Sequence, residues 1–257
     1  LEGLIIRESD GNRQVKFNPG RHYQGVIKGR PGSLVALSFF EDDVMGFISD
    51  PRTSGNLVVG KMQDKSGEFI VYRDDKVLSK LPMECGAQDN KQSYTQDELF
   101  HDHAERALTD CVKMYFEVDY NIFTNKGGMT PTINYITGLY NQVKTLYNNE
   151  SINTVVSEIF VWSTTSPYSG TSSSTMLNQF LAYRNGFNGN IAMLLSYSAS
   201  GGIAYVNTLC NSNPDYRMGF SSIGSTYSTV PTYSWSVEVV THEFGHLLGS
   251  QHTHACV

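Results

Sequence analysis

Charge is scarce in this chain. Only 17% of its 257 residues are Asp, Glu, Lys or Arg, and 25 acidic residues outnumber 19 basic ones. The net charge of −6 leaves no basic excess to neutralise a phosphate backbone, so nucleic acid is excluded as a partner. Long apolar runs are missing too. Nowhere do about 18 apolar residues follow one another, so the sequence encodes no membrane-spanning helix. No signal peptide is present, and the chain opens on Leu1 rather than Met, which reads as part of a longer precursor. Cysteine is sparse. Cys85, Cys111, Cys210 and Cys256 allow three complete pairings, and spacing does not choose among them. What is plentiful is Tyr, Ser, Asn, Thr and Gly, a polar but weakly charged composition that fits an extracellular protein. The length suits one or two domains with a sizeable core.

Against that background one string stands out. Residues 242–252 read His242-Glu243-Phe244-Gly245-His246-Leu247-Leu248-Gly249-Ser250-Gln251-His252. On a helix, His242 and His246 lie one turn apart on the same face and can point ring nitrogens at one ion. Glu243 is rotated by roughly 100° from His242. That offset suits a carboxylate standing beside a metal rather than binding it. Gly249 lies where helices end in a left-handed residue that glycine adopts cheaply, so the chain can turn and return His252 as a third ligand. Three protein ligands leave a fourth position open, which marks a catalytic zinc site rather than a structural one. Zinc would activate a water and polarise a carbonyl, and Glu243 would serve as general base and then acid.

This string resembles the metzincin clan of zinc endopeptidases. Gly201-Gly202-Ile203-Ala204-Tyr205-Val206, followed by Cys210, resembles the edge strand and nearby cysteine of the adamalysin (reprolysin) family. His252-Thr253-His254-Ala255-Cys256 is most similar to secreted bacterial members, with Thr253 where adamalysins typically carry Asp. The resemblance implies a zinc-dependent endopeptidase acting on proteins or peptides, secreted and monomeric. Gly201, Gly202, Ile203 and Ala204 would form a strand that pairs with extended substrate. A buried core strand is the plainer reading of the same residues. The resemblance further implies that Cys210 and Cys256 find partners after Val257, where the lower subdomain and its methionine turn would follow. Leu81-Pro82-Met83-Glu84-Cys85-Gly86 resembles a cysteine switch, in which Cys85 would ligate the zinc and hold the enzyme latent. A structural disulfide or an idle thiol is the alternative for Cys85.

The rest of the chain divides in three. Residues 1–83 carry short apolar runs at 14–17, 25–28, 33–40, 44–48 and 68–72, separated by turn residues such as Asn18-Pro19-Gly20 and Arg30-Pro31-Gly32. This predicts a small antiparallel sandwich or barrel, and the resemblance makes it a β-rich propeptide. Residues 84–110 are polar and acidic and read as a linker or cleavable segment, with His101-Asp102-His103 as solvated linker rather than a metal site. From Cys111 the pattern is α/β. Strands are expected over 112–120, 153–162, 190–197, 202–206 and 216–223. Helices are expected from a Thr130 cap with Pro131 first, from Ser172 to about Arg184, and over 233–248. The predicted fold is a metzincin-like α/β (α+β) catalytic domain over 111–257, a five-stranded mixed sheet with an active-site helix, behind the propeptide. Asn149-Glu150-Ser151 matches a glycosylation acceptor but is discounted in a bacterial-type protein. The rival reading is a non-catalytic metal-binding or adhesion module on the same scaffold, which the presence of Glu243 argues against.

Overall fold

Alternation along a single strand shows how the main sheet is built. Strand β7 (Val112–Val118) sends Met114, Phe116 and Val118 into one core and Tyr115 into another, and all four are buried. A strand covered on both faces reads as an unbroken apolar run, and such strands belong to parallel sheets flanked by helices. The computed structural model describes residues 1–62, 67–77, 85–87, 111–224 and 233–252. The 78–84 segment, most of the linker with His101-Asp102-His103, and residues 253–257 with Cys256 lie outside the described residues.

The remaining strands are β1 (Ile5–Glu8), β2 (Arg21–Gly25), β3 (Leu34–Phe39), β4 (Val44–Ser49), β5 (Leu57–Lys61), β6 (Phe69–Arg73), β8 (Thr154–Val161), β9 (Ile191–Ser196), β10 (Gly202–Ala204) and β11 (Met218–Ser222). Helices are α1 (Tyr120–Lys126), α2 (Met129–Asn149), α3 (Ser173–Tyr183) and α4 (Tyr233–Leu248). The fold is mixed α/β. Its main sheet runs β1-β8-β7-β9-β11-β10, parallel throughout except for β10. Five of these strands come from the expected α/β region. The sixth is β1, which pairs with β8 from Ile5↔Glu158 to Glu8↔Val161. The sequence reading missed it, because its signal is four residues long and its partner lies some 150 positions away.

Helices α2 and α4 cover one face through Ile136, Leu139, Val143, Val240, Phe244 and Leu247, with Phe116 and Phe244 edge to face at 5.4 Å. Helix α3 covers the other through Met176, Leu177 and Phe180. Ser172, expected as its first residue, is instead its cap and accepts from the Thr175 amide. The α2 start differs from expectation: Gly128 is the cap, and Pro131 sits in the third helical position, where a missing N–H is still harmless. No described helix is long and apolar enough to cross a membrane.

The N-terminal strands β2 to β6 form one antiparallel meander rather than a sandwich or barrel. The partner of its inner face is α2 instead of a second sheet, with Ala36, Met45, Phe47 and Val58 buried. Met45 reaches into a notch at Gly138, where any Cβ would overlap its sulfur. Asn141 of α2 donates to the carbonyls of Tyr23 and Leu37, at 3.3 and 3.2 Å. Residues 14–17 are not a strand; Gln14 makes a single bridge to Arg7.

Candidate metal centre

Helix α4 presents the site. Val237, Val240, Phe244 and Leu247 anchor its inner stripe in the core, leaving His242 and His246 one turn apart toward an open cavity of about 970 Å³. The helix stops where the sequence says it should. Gly249 has φ +114°, its amide reaches the His246 carbonyl at 2.9 Å, and the Ser250 amide reaches the Gly245 carbonyl at 2.8 Å. This turn returns His252 to the helix end. The last helical carbonyls are also satisfied from outside: the amides of Asn207, Thr208 and Leu209 donate to His246 and Leu247. That tie joins the loop after β10 to the helix bearing the histidines.

The structure brings together His242, His246, His252 and Cys85, whose ligand atoms all lie within 4.8 Å of one another. The Nε2 atoms of His242 and His246 are 2.9 Å apart, and Cys85 Sγ is 3.3 Å from His246 Nε2. The Nδ1–H of His246 donates to the Ser250 carbonyl at 2.7 Å. That bond leaves Nε2 as the nitrogen with a lone pair, as a metal ligand requires. Two ring nitrogens this close repel unless a proton or a cation lies between them. Burial and the neighbouring His246 and His252 push His242 down to about 4, so a proton is a poor occupant at neutral pH. The donor set of three imidazoles and a thiol is the one zinc takes. The residues therefore fit the ion.

Glu243 stands beside this group and is fully buried. Its Oε2 lies 3.8 Å from Cys85 Sγ, while its Oε1 has no hydrogen-bond partner among the described residues. Burial pushes the carboxyl up to about 8, against a smaller lowering by the Cys85 contact. A buried carboxylate oxygen with nothing to bind is costly and is the kind of exception that calls for an explanation.

The predicted edge residues lie next to this carboxylate. Gly202–Ala204 form β10, paired on one side with β11 and bridged on the other by Cys85 in parallel, with the Gly86 amide donating to the Gly202 carbonyl at 2.8 Å. Gly201 falls just outside the strand, with φ +65° and its carbonyl on the Ser222 amide. Two site features escaped the sequence reading: the Ser250 carbonyl and the Asn207–Leu209 cap. The first had a signal, since a Gly249 turn necessarily folds the next carbonyl back over the helix. The second had none. Cys111 and Cys210 are exposed thiols outside any disulfide.

Three comparisons with known proteins bear on this geometry. The Reprolysin_5 family, described as metallo-peptidase family M12, matches residues 109–256. No curated protein matches. Among solved structures, the chain is similar to metalloproteinase-II from Bacteroides fragilis, with 14% identity over 98% of this chain and 76% of that one, at a TM-score of 0.40.

Proposed function

The chain belongs to metallo-peptidase family M12, and from that premise we propose that it is a zinc-dependent endopeptidase in a latent form. The observation that carries the reading is the convergence of three imidazoles and a thiol within 4.8 Å, beside a buried carboxylate oxygen that no described residue satisfies. His242, His246 and His252 would hold the zinc. Once bound, zinc supplies a Lewis acid that lowers the pKa of water toward roughly 7 and polarises a substrate carbonyl.

The protein groups do the rest. Glu243 accepts the proton of the attacking water and passes it to the leaving amine, so one carboxylate serves as base and then acid. Its enclosure keeps competing water away from that proton. The Ser250 carbonyl holds the His246 ring in its ligating tautomer. Strand β10 offers its free edge to an extended peptide. In the latent form residues 85–87 take that edge, running parallel to β10 with the thiol among the ligands. Secretion fits the weakly charged composition.

The test uses the complete protein, activated, on a denatured protein substrate, with and without chelator, beside Glu243→Ala. Chelator-sensitive cleavage that the variant loses is the expected result. Cleavage indifferent to chelator, or equal in the variant, would sink the reading.

A further inference from the structure

Strand β10 presents two different sides. Ile203 packs with the α3 core, while Ala204 packs with the core that α4 shares. Gly202 faces the same way as Ala204, because side chains alternate along a strand. What it faces is the carboxylate of Glu243. A Cβ on Gly202 would stand 2.5 Å from Glu243 Cγ and 2.6 Å from Cδ, and would overlap Oε1. No real side chain tolerates such distances, so one partner would have to move.

The strand cannot be the one that yields. Gly202 is paired with Ser221, and the preceding Gly201 carbonyl accepts the Ser222 amide at 2.8 Å, contacts that do not depend on residues 85–87. The carboxylate is freer. Its Oε1 has no hydrogen-bond partner among the described residues and its Oε2 meets the Cys85 thiol at a long 3.8 Å, so rotation about the side-chain torsions can carry it away. Gly202 also lies outside the left-handed region, unlike Gly201. Alanine at 202 therefore poses a problem of space and none of backbone strain.

We propose that Gly202 is a positioning residue for Glu243: hydrogen in place of a side chain opens the notch in which the carboxylate stands beside the metal ligands. This rests on the reading of Glu243 as the proton acceptor. The plainer account is that small residues at 202 and 204 merely let α4 approach the strand. That account predicts lost stability and lost metal binding, with no dependence on the length of residue 243.

The experiment compares Gly202→Ala, Glu243→Ala and the double variant in the complete protein. Zinc affinity and Tm are read on the latent chain, and kcat and KM after activation. Gly202→Ala is expected to bind zinc like the parent, melt within a few degrees of it, and lose on the order of 100-fold in kcat with KM nearly unchanged. Glu243→Ala lacks the Cγ that the new Cβ would meet at 2.5 Å, so adding Gly202→Ala to it should cost almost nothing more in Tm or zinc affinity. Additive losses, or a matching fall in zinc affinity, would assign Gly202 a purely structural role. A Gly202→Ala enzyme with near-parental kcat, beside an inactive Glu243→Ala, would overturn this inference alone. An active Glu243→Ala would remove its premise.

Discussion

Replacing Cys85 with alanine in the uncleaved chain is expected to end latency while the N-terminal sheet stays docked. Among the described residues, 85–87 are held over the site by the thiol and by a ladder hydrogen bond from the Gly86 amide to the Gly202 carbonyl. A backbone hydrogen bond contributes about 0.5–1.5 kcal/mol net. Fixing the backbone of three residues costs about 1–2 kcal/mol each, or roughly 3–6 kcal/mol together. Without the thiol the segment is thus unfavourable by about 1.5 kcal/mol or more, and open over closed by at least roughly ten to one. The thiol must supply the balance. The docking of Met45 at Gly138 and the bonds from Asn141 lie elsewhere, on α2, and the substitution leaves them intact.

The assay follows initial hydrolysis of a quenched-fluorescence peptide by the zinc-loaded, uncleaved variant. Gels confirm that the chain is intact, and a chelator blank is subtracted. Activity should be present from time zero, without the lag of a chain that must first cut itself. An intact Cys85→Ala chain as silent as its parent, when the cleaved parent is active, refutes the reasoning. Inhibition would then come from steric cover rather than from the thiol.

Two further predictions concern buried charge. Glu117 is fully buried on β7 and accepts from Arg184, Trp162 Nε1 at 2.7 Å, Tyr115 at 2.9 Å and Tyr168. Arg184→Ala leaves that carboxylate without its cation and should lower unfolding stability by about 3–5 kcal/mol in urea titration, with Glu117→Gln recovering part of it; a loss under about 1 kcal/mol would mean that the neutral donors suffice. Lys126 on α1 is pushed down to about 8 by burial, with Asp43 of the β3–β4 turn opposing. The folded state then binds fewer protons than the unfolded one between about pH 8 and 10, so stability should rise with pH across that window. The gain is at most about 3 kcal/mol and less in so far as the half-buried side chain reaches water. Lys126→Met should flatten this slope, and an unchanged slope would place its origin elsewhere.

The α4 helix could be read to its ends because every determinant is local. Spacing of Val237, Val240, Phe244 and Leu247 sets its inner stripe, and Gly249 sets its stop. Strands β7, β8 and β9 were legible from local apolar clusters, Met114-Tyr115-Phe116, Ile159-Phe160-Val161 and Ile191 to Leu195, and β11 from the alternating Met218 and Phe220. Strand β2 was misplaced and β5 missed for the opposite reason. Arg21, Tyr23, Gln24 and Gly25 of β2 are exposed, and β5 gains its meaning only from pairing between β4 and β6. The same holds for β1, whose place at the far edge is decided by the Arg7–Glu158 pair and by Ile6 entering a core assembled from distant residues.

The site divides along the same line. His242, Glu243, His246 and His252 share eleven residues, so their proximity follows from helical geometry and one glycine turn. Cys85 is 157 positions from His242, and no rule of spacing could bring it there. Only the pairing of residues 85–87 with β10 does so. Gly202 shows the limit most sharply. The sequence reading placed Gly202 in a strand that pairs with an extended backbone, which describes the contact with Gly86. The nearer constraint is a side chain: the carboxylate of Glu243, 41 positions away on a helix, occupies the space a Cβ would need. An absent atom leaves no trace in a sequence until the fold supplies what fills its place.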